Sequence, residues 1–130
     1  MVSEPMLWIL ALHGLVATVC LGGGRAGRRT LRWAAAAPAA TIVWAVASLR
    51  PTLAGRETTV SVPWVPTLGL TLDLRLDAYA LLFVLVIAVA GFLILLYASG
   101  YLAERPASAR FAALMVFFAG SMTGLVLSDH

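Results

Sequence analysis

The apolar positions of this chain gather in four long runs that contain no Asp, Glu, Lys or Arg side chain. They cover residues 5–21, 33–49, 78–102 and 111–127. A helix that crosses about 30 Å of hydrocarbon needs roughly 17–25 apolar residues, and each run reaches that length. The pattern therefore predicts four transmembrane helices. The third run would extend about 37 Å as a helix, so we expect it to tilt or to protrude from the bilayer.

The segment between the second and third runs has the pattern of a β-hairpin. Residues 70–76 (LTLDLRL) alternate strictly between apolar and polar side chains, which is the period of a half-buried strand. Residues 58–62 are rich in β-branched side chains, and the Pro and Gly residues within 63–69 favour a turn. An isolated hairpin is marginally stable in water, so we expect the leucine face to pack on helix ends or lipid headgroups. It either docks a neighbouring subunit or only tethers two helices.

These patterns predict an all-α membrane protein with four transmembrane helices and a β-hairpin, at about 58–76, in the external loop between helices 2 and 3. Composition agrees, because 62% of residues are hydrophobic and 12% are charged, against about 25% charged in an ordinary soluble domain. We expect a single transmembrane unit over residues 1–130. The pI near 9.8 does not predict a nucleic-acid partner, because the charges lie in the gaps between spans. The single cysteine, Cys20, predicts no internal disulfide.

The arginines predict the orientation in the membrane. The gap 22–32 holds four arginines and no acid, and the gap after the third run adds Arg105 and Arg110. The gap 50–77 carries three arginines alongside three acidic residues. Because cytoplasmic loops are enriched in basic residues, we place the first and third gaps inside. The N-terminus, the hairpin and the C-terminus are then expected outside.

A few side chains are candidates for ion chemistry. His13 is the only side chain inside a run whose ordinary pKa lies near neutral pH, and it could relay protons or be a neutral imidazole bonded to a neighbouring helix; we favour the second. Asp77 stands at the start of the third helix, where a carboxylate suits the positive helix end, so a cap is favoured over a cation site. Asp129 and His130 could form a proton entrance or a helix-end pair.

Other residues in the runs predict packing. Gly120 and Gly124 form a GxxxG spacing, which allows close helix approach, and we favour dense packing in a larger bundle over a dedicated dimerisation face. Pro38 predicts a mild kink in the second helix. Aromatic residues near the span ends are typical of an interfacial belt; these are Trp8, Trp33, Trp64, Tyr97 and Tyr101.

The hairpin also carries a specific motif. It contains Trp64, Pro66 and Gly69 in WVPTLGL, followed by Arg75 and Asp77 in RLD. This motif resembles the hairpin that leads into the third helix of the large antiporter-like subunits. These are the large A-type chain of the Mrp (multiple resistance and pH) cation/proton antiporters and chain 5 of respiratory complex I.

Two further segments extend the resemblance in the same order. Residues 96–102 (LYASGYL) resemble the exit from the third helix of that family, and residues 118–129 (FAGSMTGLVLSD) resemble its fourth helix. The sequence of the fourth helix is more similar to the Mrp branch than to complex I. The resemblance implies several partner membrane subunits, a bacterial cell membrane location, transport of Na⁺ and H⁺ by the complex, an external N-terminus and no organic cofactor.

The resemblance carries over no ion-path residue. In the family the chain continues into helices that supply a membrane-embedded glutamate and lysines, whereas this sequence ends at His130. We therefore expect the N-terminal part of the A-type chain of an Mrp antiporter, truncated or split, with a structural and assembly role and no enzymatic activity. One alternative is the matching part of complex I chain 5 or of a membrane hydrogenase. Another is a scaffold protein that transports nothing.

Overall fold

The computed structural model describes residues 4–22, 28–102 and 108–129. In these ranges four helical spans are long and apolar enough to cross a membrane: Pro5–Gly22, Arg29–Leu53, Ala78–Tyr101 and Ala109–Leu127. The elements in chain order are α1 (Glu4–Gly22), α2 (Arg28–Ala34), α3 (Ala36–Leu53), β1 (Thr58–Val65), a 3-10 turn (Pro66–Leu68), β2 (Leu70–Leu76), α4 (Ala78–Tyr101) and α5 (Ser108–Leu127). The predicted membrane fold, with its hairpin between the second and third spans, is confirmed.

The second span is longer than its apolar run. Its two helices, α2 and α3, extend from Arg28 to Leu53, so Arg29, Arg32 and Arg50 belong to helices instead of to the gaps. Arginine is a good helix former, and its long stem lets the charged head reach the interface while the backbone stays helical. The expected bounds of 33–49 therefore understate this helix by several residues at each end.

Pro38 interrupts the second span locally. A proline ring clashes with the carbonyl four residues earlier, which here belongs to Ala34, and a turn at Ala35 separates α2 from α3. The Ala35 N–H still donates to the Leu31 carbonyl at 3.2 Å, and the Ala39 N–H donates to the Ala35 carbonyl at 3.0 Å. Because these bonds continue across the turn, the two helices form one span.

The hairpin extends from Thr58 to Leu76. β1 runs antiparallel to β2 from the pair Thr58–Leu76 to the pair Val65–Leu70, with an irregularity at Trp64. The turn is compact because Gly69 adopts a positive φ of 65° and its N–H donates to the Pro66 carbonyl at 3.2 Å. A residue with a Cβ rarely adopts that conformation, which explains the glycine.

The buried side chains form two layers, one at each end of the bundle. The layer at the arginine-rich end consists mostly of alanine, which lets the helix backbones approach closely. The layer at the hairpin end includes Met6 of α1, Ala45 of α3, Val84 of α4 and Leu127 of α5. Leu74 and Leu76 are buried in this second layer, while Leu68 and Leu70, near the turn, remain exposed. The leucine face therefore packs on protein.

Candidate functional site

His13 lies in the interior of the bundle, on the face of α1 that packs against α5. Its side chain is 2% exposed, and Nδ1 lies 2.8 Å from the carbonyl oxygen of Ile9. A carbonyl oxygen can only accept, so Nδ1 carries the hydrogen in this arrangement and donates it. The partner of Nδ1 is therefore a backbone group of its own helix, whereas the sequence led us to expect a bond to a neighbouring helix.

Gly120 is the neighbour of His13 on α5. A Cβ built at position 120 would lie 2.7 Å from His13 Cβ and 3.2 Å from Cγ. A Cβ at Gly124 would lie 3.5 Å from Cδ2 of Leu10, which is ordinary contact. The GxxxG face thus packs within the chain, on α1, and its two glycines are not equivalent. A mostly apolar cavity of about 260 Å³ borders this contact, lined in part by His13 and Ser121.

At the hairpin end an arginine joins three segments. Arg75 of β2 donates to Oε1 of Glu57 at 2.8 Å, and its other terminal nitrogen lies 3.6 Å from Oδ1 of Asp129. Glu57 directly precedes β1, and Asp129 follows α5. The hydrogen bond to Glu57, helped by the carboxylate charges nearby, holds the pKa of Arg75 above its ordinary value. The guanidinium therefore stays cationic.

The backbone makes the same connection. The Asp129 N–H donates to the Asp73 carbonyl at 3.0 Å, and Ser128 forms an antiparallel bridge with Leu74. The residues after α5 thus pair with β2 on the side away from β1. The side chain of Asp73 accepts hydrogen bonds from the hydroxyls of Ser61 and Thr71. The chain end and the hairpin form one hydrogen-bonded unit.

Asp77 occupies the N-cap position of α4. Its backbone is extended, and Oδ1 accepts a hydrogen bond from the Ala80 N–H at 2.8 Å. This is the standard way to satisfy a free amide in the first turn of a helix. A cleft of about 290 Å³ lies beside it, and its polar lining consists of Arg75, Asp77, Ser128 and Asp129 together with Tyr79.

The structure separates His13 from the acidic residues considered for ion chemistry. His13 meets Gly120, whereas Asp129 lies nine positions further along the chain from that glycine, about 13 Å along a helix axis. His130 is outside the described residues. Within the described ranges no group of three or more His, Cys, Asp or Glu side chains could hold a metal ion. His13 therefore does not share a site with Asp77 and Asp129, which line the same cleft at the hairpin end.

The residues of the hairpin motif have different positions. Trp64 is exposed at the irregularity in β1, Pro66 begins the 3-10 turn and Gly69 closes it. The pair Arg75–Glu57 was not anticipated from the sequence. The strand register contains its signal, because Thr59 is opposite Arg75 and Glu57 is therefore its diagonal neighbour. The pair can therefore be predicted only once the strand register is known.

Comparison with known proteins gives one family and consistent relatives. Residues 64–112 match the family model described as "NADH-Ubiquinone oxidoreductase (complex I), chain 5 N-terminus". The A/B component of a probable K(+)/H(+) antiporter of Rhizobium meliloti (strain 1021) is 42% identical over 104 residues, which is 79% of this chain and 10% of that protein. The A1 component of a Na(+)/H(+) antiporter of Staphylococcus aureus (strain JH9) is 33% identical over 93 residues, covering 72% and 12% respectively.

A solved structure shares the fold. The Mrp complex from Dietzia sp. DQ12-45-1b contains a chain that superimposes with a TM-score of 0.75 and 31% sequence identity, over 95% of this chain and 13% of that one. This chain therefore spans about a tenth of the length of the relatives it matches. The similarity is to the N-terminal part of the A-type chain of Mrp antiporters, as the sequence motifs indicated.

Proposed function

The chain is related to the N-terminal part of the antiporter-like subunit family, and we propose that it forms a structural and assembly platform within a multisubunit cation/proton antiporter. One observation carries this proposal. The two buried leucines of β2, Leu74 and Leu76, share a core layer with residues from all four spans. A single extramembrane element thus ties together one end of the whole bundle.

The outer part of the hairpin offers a surface for a partner. Trp64, Leu68 and Leu70 are exposed at its turn end, although they are large and apolar. Arg75 holds the hairpin to the end of α5 through Asp129, so this surface is presented on a braced element. Exposed apolar groups on a rigid support are typical of subunit contacts. We propose that another membrane subunit of the assembly covers the turn end.

The transported ions belong to the assembly in this proposal. The relatives named above are antiporter subunits for K⁺/H⁺ and Na⁺/H⁺, and we propose that the complex containing this chain exchanges such a monovalent cation for protons. Its location would be the bacterial plasma membrane. The arginine distribution supports an orientation with the N-terminus and the hairpin outside.

The second candidate is a respiratory role. The matching family model is described by complex I chain 5, so the same platform could belong to a proton-pumping oxidoreductase. The partners discriminate the two functions, because iron–sulfur and quinone-binding proteins would accompany the chain only in the second. The named relatives, which are antiporter subunits, favour the first.

The test is to purify the tagged protein from its native membrane in mild detergent and to identify the bound subunits by native mass spectrometry. We expect other multi-span antiporter subunits. Trp64→Ala should reduce their recovery severalfold, whereas Trp8→Ala should not, although both side chains are 70% exposed. Recovery of iron–sulfur partners would establish the respiratory alternative. A chain that carries no partner protein would contradict the assembly role.

A second measurement tests the structural part. Liposomes that contain only this polypeptide should show no proton flux driven by a sodium or potassium gradient. A control preparation with the complete assembly should show that flux. Cation-dependent proton movement through the polypeptide alone would mean that it is a transporter in its own right.

A further inference from the structure

An apolar trough of about 530 Å³ runs between α1 and the α2–α3 segment, apart from the hairpin end. Five side chains of α1 between positions 12 and 20 form one wall, at the i, i+3, i+4, i+7 and i+8 spacing of a single helix face. Trp33 and Ala36 contribute to the other wall. The trough is thus a continuous apolar surface between two helices.

The length of the trough matches one leaflet. Leu12 and Cys20 mark its extent on α1, and eight residues of helix rise about 12 Å. Half of the hydrocarbon core measures about 15 Å. Because α1 ends at Gly22 and α2 begins at Arg28, the Cys20 end lies next to the start of α2. The trough therefore runs from the middle of the bilayer to the interface.

The interfacial end of the trough is polar and cationic. Arg29 and Thr30 line it there, and Arg29 is exposed. The connecting segment 22–32 contains four arginines and no acidic residue. Basic pockets between transmembrane helices suit anionic lipid headgroups, and each nearby basic residue strengthens the attraction to such lipids. An apolar trough that ends at a cation has the chemical layout of an anionic phospholipid.

We propose that this trough binds an anionic phospholipid, with an acyl chain along the α1 wall and the headgroup phosphate at Arg29. The site occupies the leaflet on the arginine-rich side of the membrane. Lipid binding at this site requires only that the bundle spans a bilayer, so the proposal does not depend on the antiporter assignment. The lipid would fill the space between α1 and α2 and hold the two helices at a fixed separation.

The test is native mass spectrometry of the full chain in mild detergent, with an equimolar mixture of phosphatidylglycerol and phosphatidylcholine that have identical acyl chains. We expect the bound phosphatidylglycerol to exceed phosphatidylcholine at least threefold. Arg29→Gln should remove that preference. Arg110→Gln is the matched control, because Arg110 is exposed on α5 and does not line the trough.

The outcomes separate the possible occupants. Equal binding of both lipids, or an equal loss in the two arginine variants, would overturn the proposal in favour of non-specific adsorption. Displacement by millimolar inorganic phosphate would show that the site recognises a free anion, which also overturns it.

Photo-crosslinking locates the bound lipid on the chain without the use of a variant. A phosphatidylglycerol with a diazirine on its acyl chain should label peptides that contain residues 12–20 in the complete assembly. Labelling confined to other segments, or a neighbouring protein crosslinked in the trough instead, would contradict lipid occupancy.

Discussion

Gly120 of α5 packs directly on His13 of α1, so closely that a Cβ on the glycine would lie 2.7 Å from the histidine Cβ. Real Cβ atoms essentially never come that close. The imidazole itself is directed to the Ile9 carbonyl through Nδ1. The contact therefore combines a polar side chain satisfied within its own helix with a bare backbone on the opposite helix. It sets the separation of α1 and α5.

Gly120→Ala should destabilise the bundle by about 1–3 kcal/mol, because the new methyl group forces α1 and α5 apart. The measurement is the free energy of unfolding in detergent, with unfolding monitored by circular dichroism. Gly14→Ala is the control, since nothing lies within 4 Å of a Cβ at Gly14. It should be neutral or stabilising because alanine favours helix. Equal effects at both positions would show that close packing is not the cause.

Asp77→Ala should cost about 1 kcal/mol in the free energy of unfolding, because the Ala80 N–H loses its side-chain partner. Asp77→Asn should cost much less, since an amide oxygen can still accept that hydrogen bond. The comparison of the two variants separates capping from charge. If asparagine is as harmful as alanine, the carboxylate has a role other than the cap.

Leu76→Ala should destabilise the protein by about 2–4 kcal/mol, because it leaves a cavity in the layer shared by the hairpin and the four spans. Leu70→Ala, on the same strand but 51% exposed, should change stability by less than about 0.5 kcal/mol. Thermal unfolding in detergent compares the two. Similar losses of stability in the two variants would indicate that the hairpin does not bury Leu76 against the four spans.

Arg75→Gln should loosen the end of α5 from the hairpin. The Asp129 amide, bonded to the Asp73 carbonyl, should exchange with deuterium at least severalfold faster, while amides in the middle of α4 should not change. Because the pKa of Arg75 is raised, its contribution is fully present below the ordinary arginine pKa and is lost only as pH rises above it. At neutral or mildly alkaline pH, Arg75 should therefore keep its charge, and the Asp129 amide should not lose protection because of any loss of that charge.

Added salt should act in the same direction as the substitution, because the pair is partly exposed and is screened. If the Asp129 amide stays protected in Arg75→Gln at all salt concentrations, the backbone bonds alone hold the end of α5 to β2, without the ion pair.

A cysteine at Thr67 should be labelled by a membrane-impermeant maleimide in intact cells, and a cysteine at Gly22 should not. Both positions are exposed, and Cys20 is replaced by Ser in each variant to remove the native thiol. The expected pattern follows from the excess of arginines in the gaps at 22–32 and 103–110. The reverse pattern would place the hairpin in the cytoplasm.

The number of spans and the presence of the hairpin could be predicted from the sequence. Both are local properties: the length of an apolar run sets whether a helix can cross the bilayer, and strict alternation over residues 70–76 sets the face that a strand buries. The cap at Asp77 is local for the same reason, since its partner is three residues away. The family resemblance also depended on contiguous motifs.

The contacts between elements could not be predicted in this way. The contact of Gly120 with His13, the bridge from Ser128 to Leu74 and the ion pair of Arg75 with Asp129 join residues that are far apart along the chain. An apolar run has nearly uniform hydrophobicity around its helix, so it does not specify its own neighbours. Shape complementarity between whole helices chooses them, and that information exists only once all the spans pack together.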